Sequence, residues 1–299
     1  MAPQRVIGVD LGGTKIATGS IDADGGVHER HEVPTAIESQ EALLDGIVAA
    51  VEHVAGDDVG AVGIGVPSVI DPDSGKALGS VNIPLRDVAL RDVLHERVGV
   101  PVFVGNDGNV AALAEWKLGA GREAENLVML TLGTGVGGGV VVDNTLYHGI
   151  AELGHTVVVA DGPPCQGNCT GRGHLEAVAS GNAGDRAAEK LWGEGATAEL
   201  LVGRAEEGDA SALEALSGIG RLLGAAIGSF VNIFGPDVVV VGGGFGSAAF
   251  EFLVDSAHEI ARRETVVPEL TVRIVPAELG SDAGLIGAGL LALGALEDG

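Results

Sequence analysis

Short apolar runs that end in glycine recur along the chain and predict buried β-strands. The first run covers residues 5–10 and leads into the turn Leu-Gly-Gly-Thr-Lys, with further strands expected over 16–21 and 27–33. Runs at 127–132 and 237–241 end in glycines in the same way. Because about four to eight apolar residues bounded by turn signals are typical of a buried strand, these runs predict central sheets.

Between these strands, apolar residues spaced three and four positions apart predict helices. One helix is expected after Ser39, which is the predicted N-cap. Its apolar face consists of Leu43, Leu44, Ile47, Val48 and Val51. A longer stripe consists of Leu213, Leu216, Ile219, Leu223, Ile227 and Phe230. Other helices are expected over 110–117 and from Asp282 to about residue 296. Strands that alternate with helices indicate an α/β fold.

Composition narrows the class of protein. The 299 residues are enough for one large domain or two medium ones, and 46% apolar with 20% charged residues is typical of a globular protein. A net charge of -25 repels nucleic acids and anionic membranes, so neither is an expected partner. The apolar run at 6–9 is too short for a signal peptide or a membrane span, and the protein is expected in the cytoplasm.

Two of the strand-glycine turns have the composition of anion sites. Residues 10–15 and 132–139 place glycines and a threonine directly after a buried strand. Such turns present backbone N–H groups to a phosphate without side-chain crowding, and Asp10 at the strand end is suited to hold magnesium through water. The second turn lacks the Gly-Lys-Ser/Thr ending of a P-loop and joins two strands. For the first turn, the alternative is an ordinary hairpin with exposed polar ends.

Asp107 is the candidate general base. It follows a predicted strand at 101–104 and stands at or near the beginning of the helix expected over 110–117, where a helix N-terminus favours the ionised carboxylate. Such a carboxylate can take a proton from a substrate hydroxyl, and the alternative is that it only caps the helix. Asn82, in a polar break before Pro84, is either a ligand-binding residue or a turn asparagine.

The segment 152–176 combines metal-ligating residues. It holds both cysteines of the chain, Cys165 and Cys169, and two of its eight histidines, His155 and His174. Thiolate and imidazole are the ligands that zinc prefers, and four of them leave no open position, so a structural zinc site is predicted. The loop has little apolar material to fold around, and a metal can supply the cross-link. The alternatives are free thiols or, less favoured in a reducing cytoplasm, a disulfide.

The combination of these motifs resembles one known family. Strand-glycine turns near residues 10, 133 and 242 resemble the phosphate and adenosine motifs of the actin-like sugar kinases. The run Asp-Ala-Gly-Leu-Ile-Gly-Ala that begins at Asp282 resembles the segment that crosses between their lobes. The Glu-Leu-Gly-His motif at 152–155, with the cysteine loop after it, narrows the resemblance to the ROK family of kinases and repressors over essentially the whole chain.

The chain departs from the usual ROK loop in two ways. Its cysteines are four residues apart rather than two, and His174 stands where a third cysteine is usual. Because histidine also ligates zinc, the resemblance still implies a structural zinc bound by four side chains. These are His155, Cys165, Cys169 and His174. Repressors of the family carry a helix-turn-helix before the first strand, whereas that strand starts here by Arg5, and the motifs resemble those of the family's glucokinases.

The resemblance implies the two-lobed actin-like, or ribonuclease H-like, sugar-kinase α/β fold. Its central sheets are mixed, and a cleft between the lobes is expected to take ATP with magnesium. The first lobe covers residues 1–106 and is joined by the C-terminal helix 283–299. The larger second lobe covers residues 107–282 and carries the zinc loop.

The resemblance also gives each candidate residue a role. Asp107 is expected to take the proton of the 6-hydroxyl of glucose, and the other sugar-binding residues are Asn82, Asn106, Glu152, His155 and Glu176. The residues expected beside the nucleotide are Asp10, Gly12, Gly13, Thr14, Lys15, Gly133, Thr134, Gly135, Gly243 and Gly244. A glucokinase that forms a homodimer or homotetramer is the expected protein. The alternatives are a kinase for N-acetylmannosamine, mannose, fructose or allose, polyphosphate as the donor, or a non-catalytic sugar-binding regulator.

Overall fold

The computed structural model describes residues 5–56, 59–80, 83–266 and 272–297. Its strands are β1 (Arg5–Leu11), β2 (Lys15–Ile21), β3 (Val27–Pro34), β4 (Val59–Val66), β5 (Val69–Asp71), β6 (Lys76–Gly79), β7 (Arg86–Val88), β8 (Val102–Asn106), β9 (Leu127–Leu132), β10 (Val136–Val142), β11 (Thr145–Leu146), β12 (Val238–Gly242) and β13 (Arg273–Pro276). Its helices are α1 (Gln40–Val54), α2 (Leu90–Val98), α3 (Asp107–Lys117), α4 (Leu175–Ala179), α5 (Gly181–Trp192), α6 (Ala198–Glu206), α7 (Ala210–Phe234), α8 (Gly244–Glu264) and α9 (Ala283–Glu297).

The chain divides into two compact units. Unit 1 comprises residues 1–118, 146–150 and 282–299, and unit 2 comprises residues 119–145 and 151–281. Helix α3 therefore belongs to unit 1, whereas the sequence analysis placed the boundary before it, between residues 106 and 107. The physical reason is that α3 packs directly against α9. A Cβ atom added to Gly287 would lie 1.7 Å from the carbonyl oxygen of Val110, so only glycine allows the two helices to approach this closely.

Unit 1 is built on a mixed five-stranded sheet with the order β3-β2-β1-β4-β8. β1 and β2 form an antiparallel hairpin, whereas β1, β4 and β8 run parallel. Ile7 and Val9 pack into one core with α1, and Val6 packs into another with Leu285 of α9. Because the parallel strands are covered on both faces, they appear in the sequence as continuous apolar runs.

The predicted N-cap of α1 is confirmed. The side chain of Ser39 accepts a hydrogen bond from the N–H of Ala42 at 3.1 Å. Four of the five predicted apolar positions of this helix are buried, and Val48 is half-buried. The spacing of three and four residues therefore identified the face of the helix that packs on the sheet.

Unit 2 repeats the arrangement of unit 1. Its five-stranded sheet has the order β11-β10-β9-β12-β13, in which β9 and β10 form an antiparallel hairpin and β9, β12 and β13 run parallel. Helices α7 and α8 pack together beside this sheet through small and apolar residues. Their buried large side chains are Leu216, Ile219, Leu223, Ile227, Phe230, Phe245, Phe250, Leu253 and Ile260.

The predicted stripe on α7 was wrong at its first position. Leu213 is 38% exposed, because the buried face runs through Ala212, Leu216 and Leu223 and the next residue along a helix is rotated by about 100°. By length and composition α7 is also apolar enough to cross a membrane. Of its apolar 18-residue window, 56% is buried inside the protein, so the apolar composition is that of a core helix.

Candidate active site

The first glycine turn joins β1 to β2 and accepts two hydrogen bonds from Thr35, which follows β3. The N–H of Gly12 donates to the carbonyl oxygen of Lys15 at 2.9 Å. Thr35 donates twice, from Oγ1 to the carbonyl of Gly12 (2.7 Å) and from its N–H to the carbonyl of Thr14 (3.0 Å). Among the described residues, the N–H groups of Gly13 and Thr14 have no protein acceptor. The carbonyls of Gly12, Thr14 and Lys15 accept hydrogen bonds within the protein, so the turn has the arrangement of an anion site.

Thr35 was not identified as a site residue from the sequence, and its contacts predict a stability effect. We expect Thr35→Val to lower the stability of unit 1 by about 0.5–1.5 kcal/mol, because the half-buried carbonyl of Gly12 loses its donor while side-chain volume is conserved. Urea unfolding should show this as a lower midpoint. Thr35→Ser keeps the hydroxyl and should restore most of the midpoint; equal losses in both variants would contradict the role of the hydroxyl.

Asp10 lies beside this turn, at the carboxyl end of β1. Burial raises the pKa of its carboxyl group, and the positive charges of Lys15 and Arg30 act in the opposite direction. Its carboxyl carbon lies 2.7 Å from the point where a Cβ atom on Gly284 would stand, so the carboxylate faces the first turn of α9. A carboxylate that is desolvated in this way gains from a bound cation, which fits the predicted magnesium contact.

Asp10 and the Asn106-Asp107 pair share one edge of the unit 1 sheet. In the parallel strands, Asp10 pairs with Gly65 of β4, which pairs with Gly105 of β8. Since neighbouring strands lie about 4.8 Å apart, the backbone of Asp10 and that of Gly105 are about 10 Å apart across the sheet. The carboxyl ends of parallel strands are where ligands bind in α/β sheets.

Asn106, not Asp107, caps helix α3. Oδ1 of Asn106 accepts hydrogen bonds from the N–H groups of Gly108 (2.9 Å) and Asn109 (3.2 Å), and its Nδ2 donates to the carbonyl of Ser68 (3.2 Å). The helix consequently begins at Asp107, three residues before the predicted beginning. The half-buried carboxylate of Asp107 therefore stands in the first turn, where the helix dipole favours its ionised form.

Asn109 adds an acceptor that sequence reasoning missed. Its Oδ1 is the one buried side-chain N or O atom in the described residues that has no hydrogen-bond partner. It lies two positions after Asp107, in the same helix turn. Asn82, a predicted sugar-binding residue, lies outside the described residues.

The second glycine turn joins β9 to β10 in unit 2. The N–H of Gly133 donates to the carbonyl of Gly135 (3.0 Å), the N–H of Gly181 donates to the carbonyl of Gly133 (2.7 Å), and Nε2 of Gln166 donates to the carbonyl of Thr134 (3.2 Å). All three carbonyls of the turn are therefore satisfied. Within the described chain, the N–H groups of Thr134 and Gly135 have no protein acceptor. The two predicted anion turns share this property.

Gly243 and Gly244 lie beside the second turn. Gly242 pairs with Thr131, so β9 and β12 end at the same sheet edge. Gly243 has φ of 81°, and a Cβ atom there would lie 2.6 Å from the carbonyl oxygen of Leu132. Only glycine fits such a position, and it brings the N-terminus of α8 close to the turn. An open cavity of about 950 Å³ lies beside Gly244. Its lining also includes Leu200, Gly203, Glu207 and Phe245.

The four predicted metal ligands come together in unit 2. Residues 157–174 fold back on themselves through short bridges, and one ligand atom of each of the four side chains lies within 4.8 Å of the others. Nδ1 of His155 is 3.2 Å from Nδ1 of His174 and 3.8 Å from Sγ of Cys165, and Sγ of Cys169 is 3.6 Å from Nδ1 of His174. Tetrahedral zinc, with bonds of about 2.0–2.3 Å, requires ligand separations of about 3.3–3.8 Å. The distances fit such an ion.

Glu176 connects this cluster to the second turn. Its Oε1 accepts a hydrogen bond from the Cys165 thiol (3.1 Å), and its Oε2 accepts from the N–H of Val136 (3.4 Å). Burial, and then the hydrogen bond to Glu176, raise the pKa of the Cys165 thiol to about 12, so the metal-free thiol is protonated at neutral pH. Glu152 is exposed and immediately precedes the 3-10 turn Leu153–His155, which ends at the cluster member His155.

Comparisons with known proteins match the chain over nearly its full length. The model of the ROK family matches residues 6–295. A glucokinase of Thermotoga maritima is 38% identical and covers 96% of this chain and 97% of its own. An N-acetylmannosamine kinase of Shigella flexneri is 34% identical, with 97% and 98% covered. The crystal structure of a ROK family glucokinase from Streptomyces griseus, in complex with glucose and AMPPNP, has a TM-score of 0.85 at 35% identity, covering 97% of this chain and 99% of that one.

These findings confirm the predicted family resemblance and the predicted α/β fold. Structures of ROK glucokinase and ROK hexokinase superpose on almost the whole chain. The individual roles of the candidate residues stay predictions. The structure places them in two groups, one at the sheet edge of unit 1 and one around the turn and metal cluster of unit 2.

Proposed function

The chain belongs to the ROK family, and on that premise we propose that it is a glucokinase, which transfers the γ-phosphoryl group of ATP to the 6-hydroxyl of glucose. Similarity over 97% of the chain to a glucokinase structure with glucose and AMPPNP supports this pair of substrates. In the chain's own geometry, the proposal is carried by the sheet edge that Asp10 and Asn106-Asp107 share. This edge combines the carboxylate of Asp10, which is suited to bind a cation, with that of Asp107, which is suited to act as a base.

Each of the two glycine turns is suited to bind phosphate oxygens of the donor. The unpartnered N–H groups at Gly13 and Thr14, and at Thr134 and Gly135, donate to phosphate oxygens, which is how a strongly acidic protein can bind a polyanion locally. Asp10 is the residue that would hold magnesium, and the ion when bound neutralises charge on the phosphates. The cavity beside Gly244 accepts the adenosine.

Asp107 is the general base. Its carboxylate takes the proton of the 6-hydroxyl while that oxygen forms a bond to the γ-phosphorus, and the bond from this phosphorus to the bridging β,γ-oxygen breaks to release ADP. Phosphoryl transfer requires mainly positioning and charge stabilisation, so one base is chemically sufficient. Asn106 keeps Asp107 in the first turn of α3 by capping the helix.

The sugar hydroxyls are bound by Glu152, His155 and Glu176. Zinc fits the four-ligand cluster, where it would fix the imidazole ring of His155 through Nδ1 and leave Nε2 for the sugar. A metal in the cluster would be held by Cys165 as its thiolate. Oε1 of Glu176, which accepts from the Cys165 thiol in the metal-free protein, would then be available to accept from a sugar hydroxyl.

An N-acetylmannosamine kinase is the second candidate. The observation that favours it is the 34% identity to such a kinase over 97% of this chain. Both activities use the same base and the same donor turns. They differ only in the group at C2 of the sugar and in its configuration, so activity measurements separate them.

A panel of sugars and donors tests the proposal. We expect glucose to exceed 2-deoxyglucose and N-acetylglucosamine in kcat/KM by at least about tenfold, because a missing or altered hydroxyl leaves buried polar partners unpaired. ATP should exceed polyphosphate as the donor. If N-acetylmannosamine gave the highest kcat/KM, the glucokinase assignment would be wrong and the family assignment would stand.

A further inference from the structure

The orientation of the second glycine turn depends on Gln166. In a planar trans peptide the C=O and the following N–H point in opposite directions. Nε2 of Gln166 donates to the carbonyl of Thr134 at 3.2 Å, so it directs the N–H of Gly135 to the opposite side. An anion site needs this arrangement, because a carbonyl oxygen turned toward a phosphate repels it.

The amide of Gln166 is fixed from its other end. Nδ2 of Asn182, in the first turn of α5, donates to Oε1 of Gln166. Because the carbonyl oxygen of Thr134 can only accept, the amide nitrogen of Gln166 must face it and the amide oxygen must face Asn182. Among the described residues, the side chain of Asn182 makes its hydrogen bond to Gln166 and none to the turn itself.

Gln166 also belongs to the metal loop. It follows Cys165 directly and precedes Cys169 by three residues, so its backbone lies between two of the four clustered ligands. Glu176 forms a second connection, since it accepts from the Cys165 thiol and from the N–H of Val136, at the other end of the turn. The ligand cluster and the turn are therefore parts of one hydrogen-bonded structure.

We propose that Gln166 is a positioning residue for donor binding, which transmits the order of the metal loop to the Gly133–Gly135 turn. ATP binding, and not only sugar binding, then depends on that loop. The inference rests on the proposed function in so far as the turn binds phosphates.

The test compares three single variants of the full chain. Gln166→Met removes both hydrogen bonds at nearly constant volume. Gln166→Glu keeps the acceptor for Asn182 but cannot donate to Thr134. Asn168→Met, an exposed amide in the same loop outside the ligand set, is the matched control. The dissociation constant of AMPPNP is measured by calorimetry, with KM for glucose, kcat and zinc content determined on the same preparations.

We expect the AMPPNP dissociation constant to rise about 3- to 10-fold in Gln166→Met, as for the loss of one net hydrogen bond, and at least as much in Gln166→Glu. The KM for glucose should stay within about twofold, and zinc content should match that of Asn168→Met. Asn182→Ala alone should also weaken AMPPNP binding. Combined with Gln166→Met it should cause no further loss, because Asn182 affects the turn through the side chain of Gln166.

Unchanged AMPPNP binding in both Gln166 variants would overturn the inference. So would loss of zinc from Gln166→Met, because the substitution would then act by unfolding the loop. A wild-type protein that binds AMPPNP but does not phosphorylate glucose would contradict the proposed function and leave the comparison of AMPPNP affinities valid.

Discussion

Replacing Asp107 with asparagine is expected to lower kcat by about 10²–10⁴-fold, the usual contribution of a general base. The substitution keeps the size and shape of the side chain but removes the proton acceptor. Asn106 still caps α3, so the fold of unit 1 should survive, with a change in stability within about 1 kcal/mol. Glucose binding should remain within about tenfold of the wild type, since most hydrogen bonds to the sugar are unaffected.

Asp92→Asn supplies the matched control for this experiment. Asp92 is also an acidic residue in the first turn of a helix of unit 1, and its side chain is exposed. The same loss of charge there should leave kcat within about twofold. Steady-state kinetics and glucose titration on both variants separate a chemical role from an electrostatic one. Near-normal turnover by folded Asp107→Asn would remove Asp107 from the mechanism.

Loss of the metal is expected to have the second largest effect. The wild-type protein should contain about one zinc ion per chain, and Cys165→Ser should weaken zinc binding by more than the roughly 10–100-fold that follows from loss of an outer-shell partner. The KM for glucose should rise more than the KM for ATP. His155 lies in the cluster and Glu176 beside it, whereas the loop affects the phosphate-binding turn indirectly, through Gln166.

Elemental analysis and kinetics on the same samples check this expectation. Thr170→Ser, an exposed conservative change in the same loop, should retain both zinc and activity. Chelator treatment of the wild type should reproduce the kinetic change of Cys165→Ser, and added zinc should reverse it in the wild type alone. Fully active protein that contains no zinc after purification without chelators would refute the structural metal.

Most of the strands and helices could be predicted because burial imposes a period on the sequence. The central residues of β1 and β9 are apolar in a continuous run since both faces of these strands are covered, and α8 has its apolar residues on one face. The ligand cluster could be predicted because cysteine and histidine are rare and chemically distinct. Its four members do converge, while the identity of the metal remains a prediction.

Other features could not be predicted because they depend on contacts far apart in the chain. Thr35 reaches the first turn across 23 residues, and Gln166 reaches the second across 32. Neither residue type is unusual, so no local pattern distinguishes them from any other polar residue. The boundary after α3 likewise depends on the contact between α3 and α9, and the sequence of α3 alone carries no sign of it.

The packing of α9 against α3 has a consequence for how the protein is made. The two helices belong to the same unit, yet residues 118–282 lie between them. At about 5–20 residues per second, a ribosome needs roughly 8–30 s to synthesise that stretch. During this time the face of the unit 1 sheet that α9 covers stays exposed, and unit 2 is itself still being synthesised. Nascent chains stalled before residue 283 should therefore recruit chaperones through their N-terminal part.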